Sequence, residues 1–357
     1  MADEELRLEE PVAGALKEVR YPGFDADIVS MGLVTEARLE GARAVVRLRP
    51  VAAPAQVRQE LEDAIGGAVG RLAQVEELEL EMPEPPQAAE PKERQGPHAI
   101  AGVSAVVPVA SGKGGVGKST VAVNLAVGLR QEGLQVGILD LDLYGPSVPM
   151  MLGVSDAQPT GGEDGKLEPI AAHGLKIMSI GFMVPVEKAL IWRGPLVMKA
   201  VRQLLHDTNW APLDVLVLDL PPGTGDVQIS MTQEVPVTGA VVVTTPQDVA
   251  LVDAVKGVDM FRHTGAPVLG IVENMSYFQC PDCGSRHEIF GHGSVEPLCA
   301  KLGVAYLGEL PLDAAVRQGS DQGRPAAEHD SAPGRAYREL AGAVAGRLRE
   351  MGVLKEA

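Results

Sequence analysis

Two stretches of this chain combine residue types and spacings that can do chemistry. The first is Gly112-Lys113-Gly114-Gly115-Val116-Gly117-Lys118-Ser119-Thr120. Its Gly-x4-Gly-Lys-Ser spacing lets a turning backbone aim N–H groups at phosphate oxygens, and a helix starting there adds its positive dipole end. Lys118 can reach terminal phosphates, and the Ser119 hydroxyl can ligate Mg²⁺. The second stretch is Cys280-Pro281-Asp282-Cys283-Gly284. Two thiolates at this spacing can grip one metal centre. Three arrangements fit: half of an iron–sulfur site that a second copy completes, a zinc site closed within one chain by His287 and His292, or a redox dithiol. No thioredoxin-like context supports the dithiol, and very short loops between ligands would strain tetrahedral zinc. Spacing alone leaves cluster and zinc open. Cys299, in the apolar helical stretch 297–302, reads as a core residue.

Carboxylates accompany the glycine-rich loop. Asp140-Leu141-Asp142 follows the apolar run 136–139, and Asp219 ends the run 215–218 and opens a segment with Gly223 and Gly225. Carboxylates at the C-terminal ends of strands face the ligand crevice of an open α/β sheet. Asp219 has the position of a Walker B residue on Mg²⁺, and of Asp140 and Asp142 one can hold the ion's water shell while the other orients an attacking water. Asn274 lies just beyond the run 268–272, and its amide can both donate to and accept from a purine edge.

Those residues need a scaffold. The runs 106–110, 136–139, 215–218, 240–243 and 268–272 are short and continuously apolar. Strands buried on both faces read this way, so residues 101–357 are expected to form an α/β domain, a doubly wound and mostly parallel sheet covered by helices. Helices are expected over 118–129 and, as a closing amphipathic element, over 335–351. Residues 1–82 read as a small α+β domain: a short helix over 12–19, a helix over 57–72, and strands over 45–48 and 75–80. Between the two domains, residues 83–97 repeat proline and lack large apolar side chains, so 83–100 is expected to be an extended linker.

The formal net charge of −17 argues against a nucleic-acid partner bound by phosphate neutralisation and against an anionic membrane surface. Met1-Ala2-Asp3-Glu4-Glu5 lacks a signal-peptide pattern, and no apolar run is long enough to span a bilayer. A cytoplasmic protein is therefore expected. Three cysteines are too few for a disulfide framework.

The loop holds a second lysine, Lys113, directly after its first glycine. A P-loop with this signature lysine resembles the dimeric ATPases that include MinD, ParA and the nitrogenase iron protein. The resemblance implies a homodimer in which Lys113 reaches the partner's ATP, Lys118 serves its own, and Asp142 in switch I positions water. Ser119, Asp140 and Asp219 are then the magnesium residues, and Asn274 and the Leu310-Pro311-Leu312 segment, through Pro311, meet the base. Within that class, Asn274-Met275-Ser276-Tyr277-Phe278-Gln279-Cys280-Pro281-Asp282-Cys283-Gly284, with Tyr144-Gly145-Pro146-Ser147 and Trp192-Arg193-Gly194-Pro195, is similar to the Mrp/ApbC-type iron–sulfur cluster carriers. This resemblance spans residues 101 to about 350. It implies that Cys280 and Cys283 from two subunits hold a labile bridging 4Fe-4S cluster, taken from scaffold or donor proteins and passed to apo-protein clients with ATP as gate. The competing expectation is a positioning or partition ATPase with a structural zinc. The segment Asp27-Ile28-Val29-Ser30-Met31-Gly32-Leu33-Val34 resembles a PaaD/SufT-like domain. Tyr21-Pro22-Gly23-Phe24-Asp25 departs from that pattern, as does Val51-Ala52-Ala53-Pro54-Ala55, where many relatives carry a cysteine. With no cysteine before Cys280, this domain contributes no thiolate and is expected to dock clients or to regulate.

Overall fold

The computed structural model describes residues 7–20, 27–49, 55–83, 97–143, 145–162, 165–183 and 194–355. The motif residues Tyr144, Trp192 and Arg193, the departures at 21–25 and 51–54, and most of the proline-rich segment lie outside them. The chain divides into two compact units, Met1–Gln95 and Gly96–Ala357.

The smaller unit runs β1 (Arg7–Leu8), α1 (Val12–Leu16), β2 (Val34–Glu40), β3 (Arg43–Leu48), α2 (Ala55–Val69) and β4 (Glu77–Glu81). The strands lie in chain order, with β2 and β3 antiparallel and the outer pairings parallel. Val12, Leu16, Leu61 and Ile65 join Ala37 and Val46 in its core. Strand β2 escapes pattern reading because Glu36, Arg38 and Glu40 interrupt it. Their charges are met by each other and by Arg47 on the neighbouring strand.

The larger unit runs β5 (Val103–Ala110), α3 (Lys118–Gln131), β6 (Val136–Asp140), α4 (Val148–Met151), β7 (Thr160–Gly161), β8 (Leu167–Glu168), β9 (Ile170–Ala172) and β10 (Leu175–Ser179). It continues with α5 (Gly194–His206), β11 (Leu213–Asp219), α6 (Asp226–Glu234), β12 (Ala240–Thr244), α7 (Asp248–His263) and β13 (Val268–Gln279). It closes with β14 (Arg286–His287), α8 (Val295–Leu302), β15 (Tyr306–Pro311), α9 (Ala314–Asp321) and α10 (Ala332–Glu350). Among the described residues one sheet runs β15-β13-β12-β5-β11-β6-β10-β9, parallel except for β9, with β14 paired antiparallel to the end of β13.

Alternate residues of the central strands feed two separate cores. Val107, Val109, Ile138, Val217 and Val243 pack on one face with α3 and α10, while Val106, Leu139, Leu216 and Val242 pack on the other with α5 and α7. This is why those strands read as continuous apolar runs. Helix α10 turns Tyr337, Leu340, Ala341, Val344 and Leu348 inward at helical spacing. Strands β5, β6 and β11 end side by side, with Asp140 and Asp219 in register, so their C-terminal edge gathers the glycine-rich loop and the carboxylates.

One sequence expectation changes here. The run 268–272 is only the first half of a twelve-residue strand, so Asn274 lies inside β13 rather than beyond it. Among the described residues no helix is long and apolar enough to cross a membrane.

Candidate functional site

Strand β5 delivers the chain to the glycine-rich loop, and α3 leaves it at Lys118. Two glycines are required by close approach. At Gly112 a β-carbon would run into the Asp253 backbone of α7. Gly117 caps α3 with φ +82°, and a β-carbon there would collide with the Asn274 amide. That amide donates to the Val116 carbonyl at 2.8 Å, tying the loop to β13. The loop lines a cavity of about 220 Å³ together with Ser111, Ser119, Thr120, Asp142 and Pro222. The N-terminal end of a fourteen-residue helix opens into it, an anion site by backbone dipoles alone.

Side-chain charge is concentrated just behind that cavity. Lys118 is buried, with Nζ 2.5 Å from Asp219 Oδ1, 3.1 Å from Ser119 Oγ and 3.9 Å from Asp142 Oδ2. Asp219 is fully buried, and burial pushes its carboxyl upward against the pull of Lys118. Its second oxygen, Oδ2, has no hydrogen-bond partner among the described residues. A buried carboxylate oxygen without a partner is costly, and a hard divalent cation takes oxygen ligands of this kind. Ser119 and Asp219 thus fit Mg²⁺.

Asp140 is placed differently. Its Oδ1 accepts the Asp142 N–H at 3.0 Å, and its Oδ2 accepts the Val148 N–H and the Ser179 hydroxyl, both at 3.2 Å. Burial, then the charge of Asp219, pushes this carboxyl up to about 7. Both Asp140 oxygens thus accept from protein donors, and the carboxyl holds the start of the segment carrying Asp142. Asp142 itself lines the cavity.

Lys113 is partly exposed and makes no ion pair among the described residues, while its carbonyl accepts the Ser111 hydroxyl at 2.8 Å. Asn274 and Pro311 do not line the phosphate cavity. The Asn274 amide is engaged with the loop backbone, and Pro311 sits where β15 meets Tyr277 of β13, next to the Leu312 N–H that donates to the Tyr277 carbonyl at 2.7 Å.

The cysteine pair lies at the tip of the β13–β14 hairpin. The Gly284 N–H donates to the Cys280 carbonyl at 2.9 Å and the Cys280 N–H to the Ser285 carbonyl at 2.9 Å. Gly284 takes φ +72°, which closes the turn. Both thiols are free, Cys280 half-buried and Cys283 exposed, with the Cys283 thiol 3.2 Å from the Ser285 hydroxyl. That hydroxyl holds the Cys283 thiol below its usual range, with a contribution from Cys280.

Neither candidate zinc histidine joins the thiols. The His287 ring lies 6.4 Å from that of Phe278, and His292 Nδ1 lies 2.9 Å from the Ser276 hydroxyl. Among the described residues no three His, Cys, Asp or Glu side chains gather as a metal site. The intrachain zinc expectation is thereby corrected. Cys299 is buried, as expected, and burial pushes its thiol up to about 11. Sequence reading missed Ser179 behind Asp140 and the polar group of Glu273, Ser276, Arg286 and Glu309 behind the hairpin. Their partners are distant in sequence, so no local pattern marks them.

Residues 102–345 match the family model described as NUBPL iron-transfer P-loop NTPase, and residues 9–80 match one described as iron-sulfur cluster assembly protein. An iron-sulfur cluster carrier protein of Deinococcus radiodurans is 46% identical over 338 residues, 94% of each chain. One from Synechocystis is 41% identical over 344 residues, covering 94% of this chain and 97% of its own. Among solved structures, a nucleotide-binding protein from Archaeoglobus fulgidus in complex with ADP is 40% identical with a TM-score of 0.56, covering 62% of this chain and 87% of that one. The cell division ATPase MinD of Pyrococcus furiosus, at 24% identity and a TM-score of 0.52, shares the fold over 68% of this chain.

Proposed function

We propose, from the premise that this chain belongs to the NUBPL iron-transfer P-loop NTPase family, that it is an ATP-hydrolysing carrier of iron–sulfur clusters. The observation that carries this reading is the free Cys280 and Cys283 pair, held at an exposed hairpin tip of a P-loop NTPase with no third ligand beside it among the described residues. Two thiolates are half of what a four-iron cluster takes. A symmetric dimer supplies four from a two-fold axis. In this reading the cluster is cargo, received from scaffold or donor proteins and delivered to apo-protein clients. The partition-ATPase alternative loses its structural zinc, since both candidate histidines are engaged elsewhere.

At the phosphate loop, the backbone N–H groups from Gly112 to Thr120 and the start of α3 bind the phosphates. Lys118 exchanges Asp219 for the terminal phosphates when ATP enters, which frees Asp219 for the ion it shares with Ser119. Ser119 and Asp219 would hold a magnesium ion, which would supply positive charge against the phosphates. Asp142, at the cavity wall, orients a water for in-line attack, and the bond from the γ-phosphorus to the ADP oxygen breaks. Asp140 serves this step indirectly, by holding the Asp142 N–H. Lys113, without an ion pair of its own, reaches the nucleotide of the partner subunit and offsets charge building up in the transition state. Turnover is slow and coupled to cluster transfer. Residues 1–82 act as a docking or regulatory module, and 83–100 as the linker that lets them work, in a cytoplasmic homodimer.

Anaerobic reconstitution with iron and sulfide tests the reading. The wild type is expected to take up iron and sulfide in equal amounts with charge-transfer absorption in the visible, and Cys283→Ala to take up neither. Stoichiometric zinc in place of iron would contradict it.

A further inference from the structure

One strand joins the two sites. From Asn274, bonded to the phosphate loop, β13 runs to Gln279, which precedes Cys280, a span of about 17 Å at ~3.3 Å per residue. Met275 interrupts it with φ +54°, and the pairing with β15 shifts register between Glu273 and Tyr277. A non-glycine residue in that region is strained and persists only where its surroundings hold it. Just before the kink the Asn274 side chain enters the phosphate loop. Its neighbour Glu273, and Ser276 just beyond the kink, enter a partly buried polar group.

That group is poised between alternatives. The Ser276 hydroxyl lies 2.7 Å from Glu273 Oε1, 2.9 Å from His292 Nδ1 and 3.1 Å from Glu309 Oε2. A hydroxyl has one proton, so it donates to one of the two glutamates at a time. Glu273 is fully buried, and its Oε2 has no hydrogen-bond partner among the described residues. Glu309 is held by both terminal nitrogens of Arg286 at 2.9 Å each. Arg286 in turn lies 4.0 Å over the Tyr277 ring and is the β14 residue paired with Gln279 at the foot of the cysteine turn. His292 and Glu309 also line a cavity of about 340 Å³, so both have space for a second arrangement.

We propose that Ser276, Arg286, His292 and Glu309 form a positioning clamp that passes the nucleotide state of the phosphate loop to the cysteine hairpin. The inference rests on the cluster-carrier reading above. Movement of the loop on ATP binding pulls on Asn274 and shifts the kink at Met275. The Ser276 proton moves between Glu273 and Glu309, and the grip of Arg286 on the hairpin foot changes with it. The clamp touches neither phosphate nor thiol. Its effect is confined to the coupling between the two sites, which for such devices is about 5- to 150-fold in affinity.

The test uses full-length reconstituted protein. The rate of cluster loss to an iron chelator is measured with ADP and with a non-hydrolysable ATP analogue, and the ratio of the two rates is the readout. The wild type is expected to show a ratio of at least about 5. Ser276→Ala, Glu309→Gln and Arg286→Lys are expected to bring it toward 1 while iron content and nucleotide affinity stay within about 3-fold of wild type. Arg286 and Glu309 are partly exposed, so their variants keep the test alive if Ser276→Ala fails to fold. A merely structural role would change both rates alike and leave the ratio intact, and that result overturns the clamp. So does a wild-type ratio of 1. A wild type that loads no iron overturns the carrier reading itself, and the clamp with it.

Discussion

The phosphate loop and the cysteine hairpin lie on the same strand yet differ in how much of their chemistry one chain supplies. Around the loop, Lys118 and Asp219 are buried and paired, Asp140 is buried against protein donors, and two glycines are fixed by side and main chain from α7 and β13. Around the hairpin, the thiols are free, one is exposed beside only the Ser285 hydroxyl, and His287 and His292 turn elsewhere. A preorganised site acts on a ligand that arrives and leaves often, because its dipoles need no rearrangement during reaction. An open two-thiolate site suits a cargo that a second subunit must help to hold and a client must be able to take. In the proposed reading the nucleotide site is largely a property of the fold, whereas the cluster site would be completed only by the assembly.

The contrast can be broken at several points. The largest effect is expected at Lys118. Lys118→Ala should lower ATP turnover by about 100-fold or more, the usual cost of removing a charge-stabilising donor, without lowering iron uptake in reconstitution. Loss of both together would mean that the sites are not separable. Lys113→Ala should lower turnover by a similar order while leaving nucleotide binding by titration calorimetry within about 3-fold, since its work begins only in the dimer. Equal loss of binding would place Lys113 in its own subunit's site.

Smaller effects sharpen the difference between buried and exposed. Gly117→Ala must adopt φ +82° and displace the Asn274 amide. It should cost about 1–2 kcal/mol in denaturant unfolding and weaken nucleotide binding, while the free thiols keep their reactivity. Cys299 offers the smallest signal. It is buried, with its thiol pushed up to about 11, so alkylation at pH 8 should label Cys283 first, Cys280 next and Cys299 only on unfolding. Raising the pH toward 11 increases the thiolate fraction of Cys299. Rapid labelling of Cys299 at pH 8 would contradict the packing described for α8.

The sequence carries these two regions unevenly. The glycine-rich loop is a local signal, and strands β5, β6, β11 and β12 announce themselves because both of their faces are buried in separate cores. The second half of β13 does not, because Glu273, Asn274 and Ser276 are polar. Asn274 and Ser276 are buried because Val116, His292 and Glu309, between 16 and 158 residues away, meet their side chains, and Glu273 leans on Ser276. Strands β10 and β15 are short and lack that double-faced apolar run, so periodicity passes over them. Asp140 shows the same limit within the site. Its position at a strand end is legible, but whether its oxygens face an ion or the Val148 N–H and Ser179 hydroxyl depends on a neighbouring strand. The two cysteines are legible as ligands, while the engagement of His287 and His292 elsewhere is a tertiary fact.

In the proposed reading the cysteine pair is a half-site completed by a second copy of the chain. Native mass measurement of anaerobically reconstituted full-length protein tests it most directly. The account expects the cluster only on dimers, one four-iron cluster per two chains, with Cys280→Ala yielding metal-free protein. Metal carried one per monomer, with no dimer required, would contradict it.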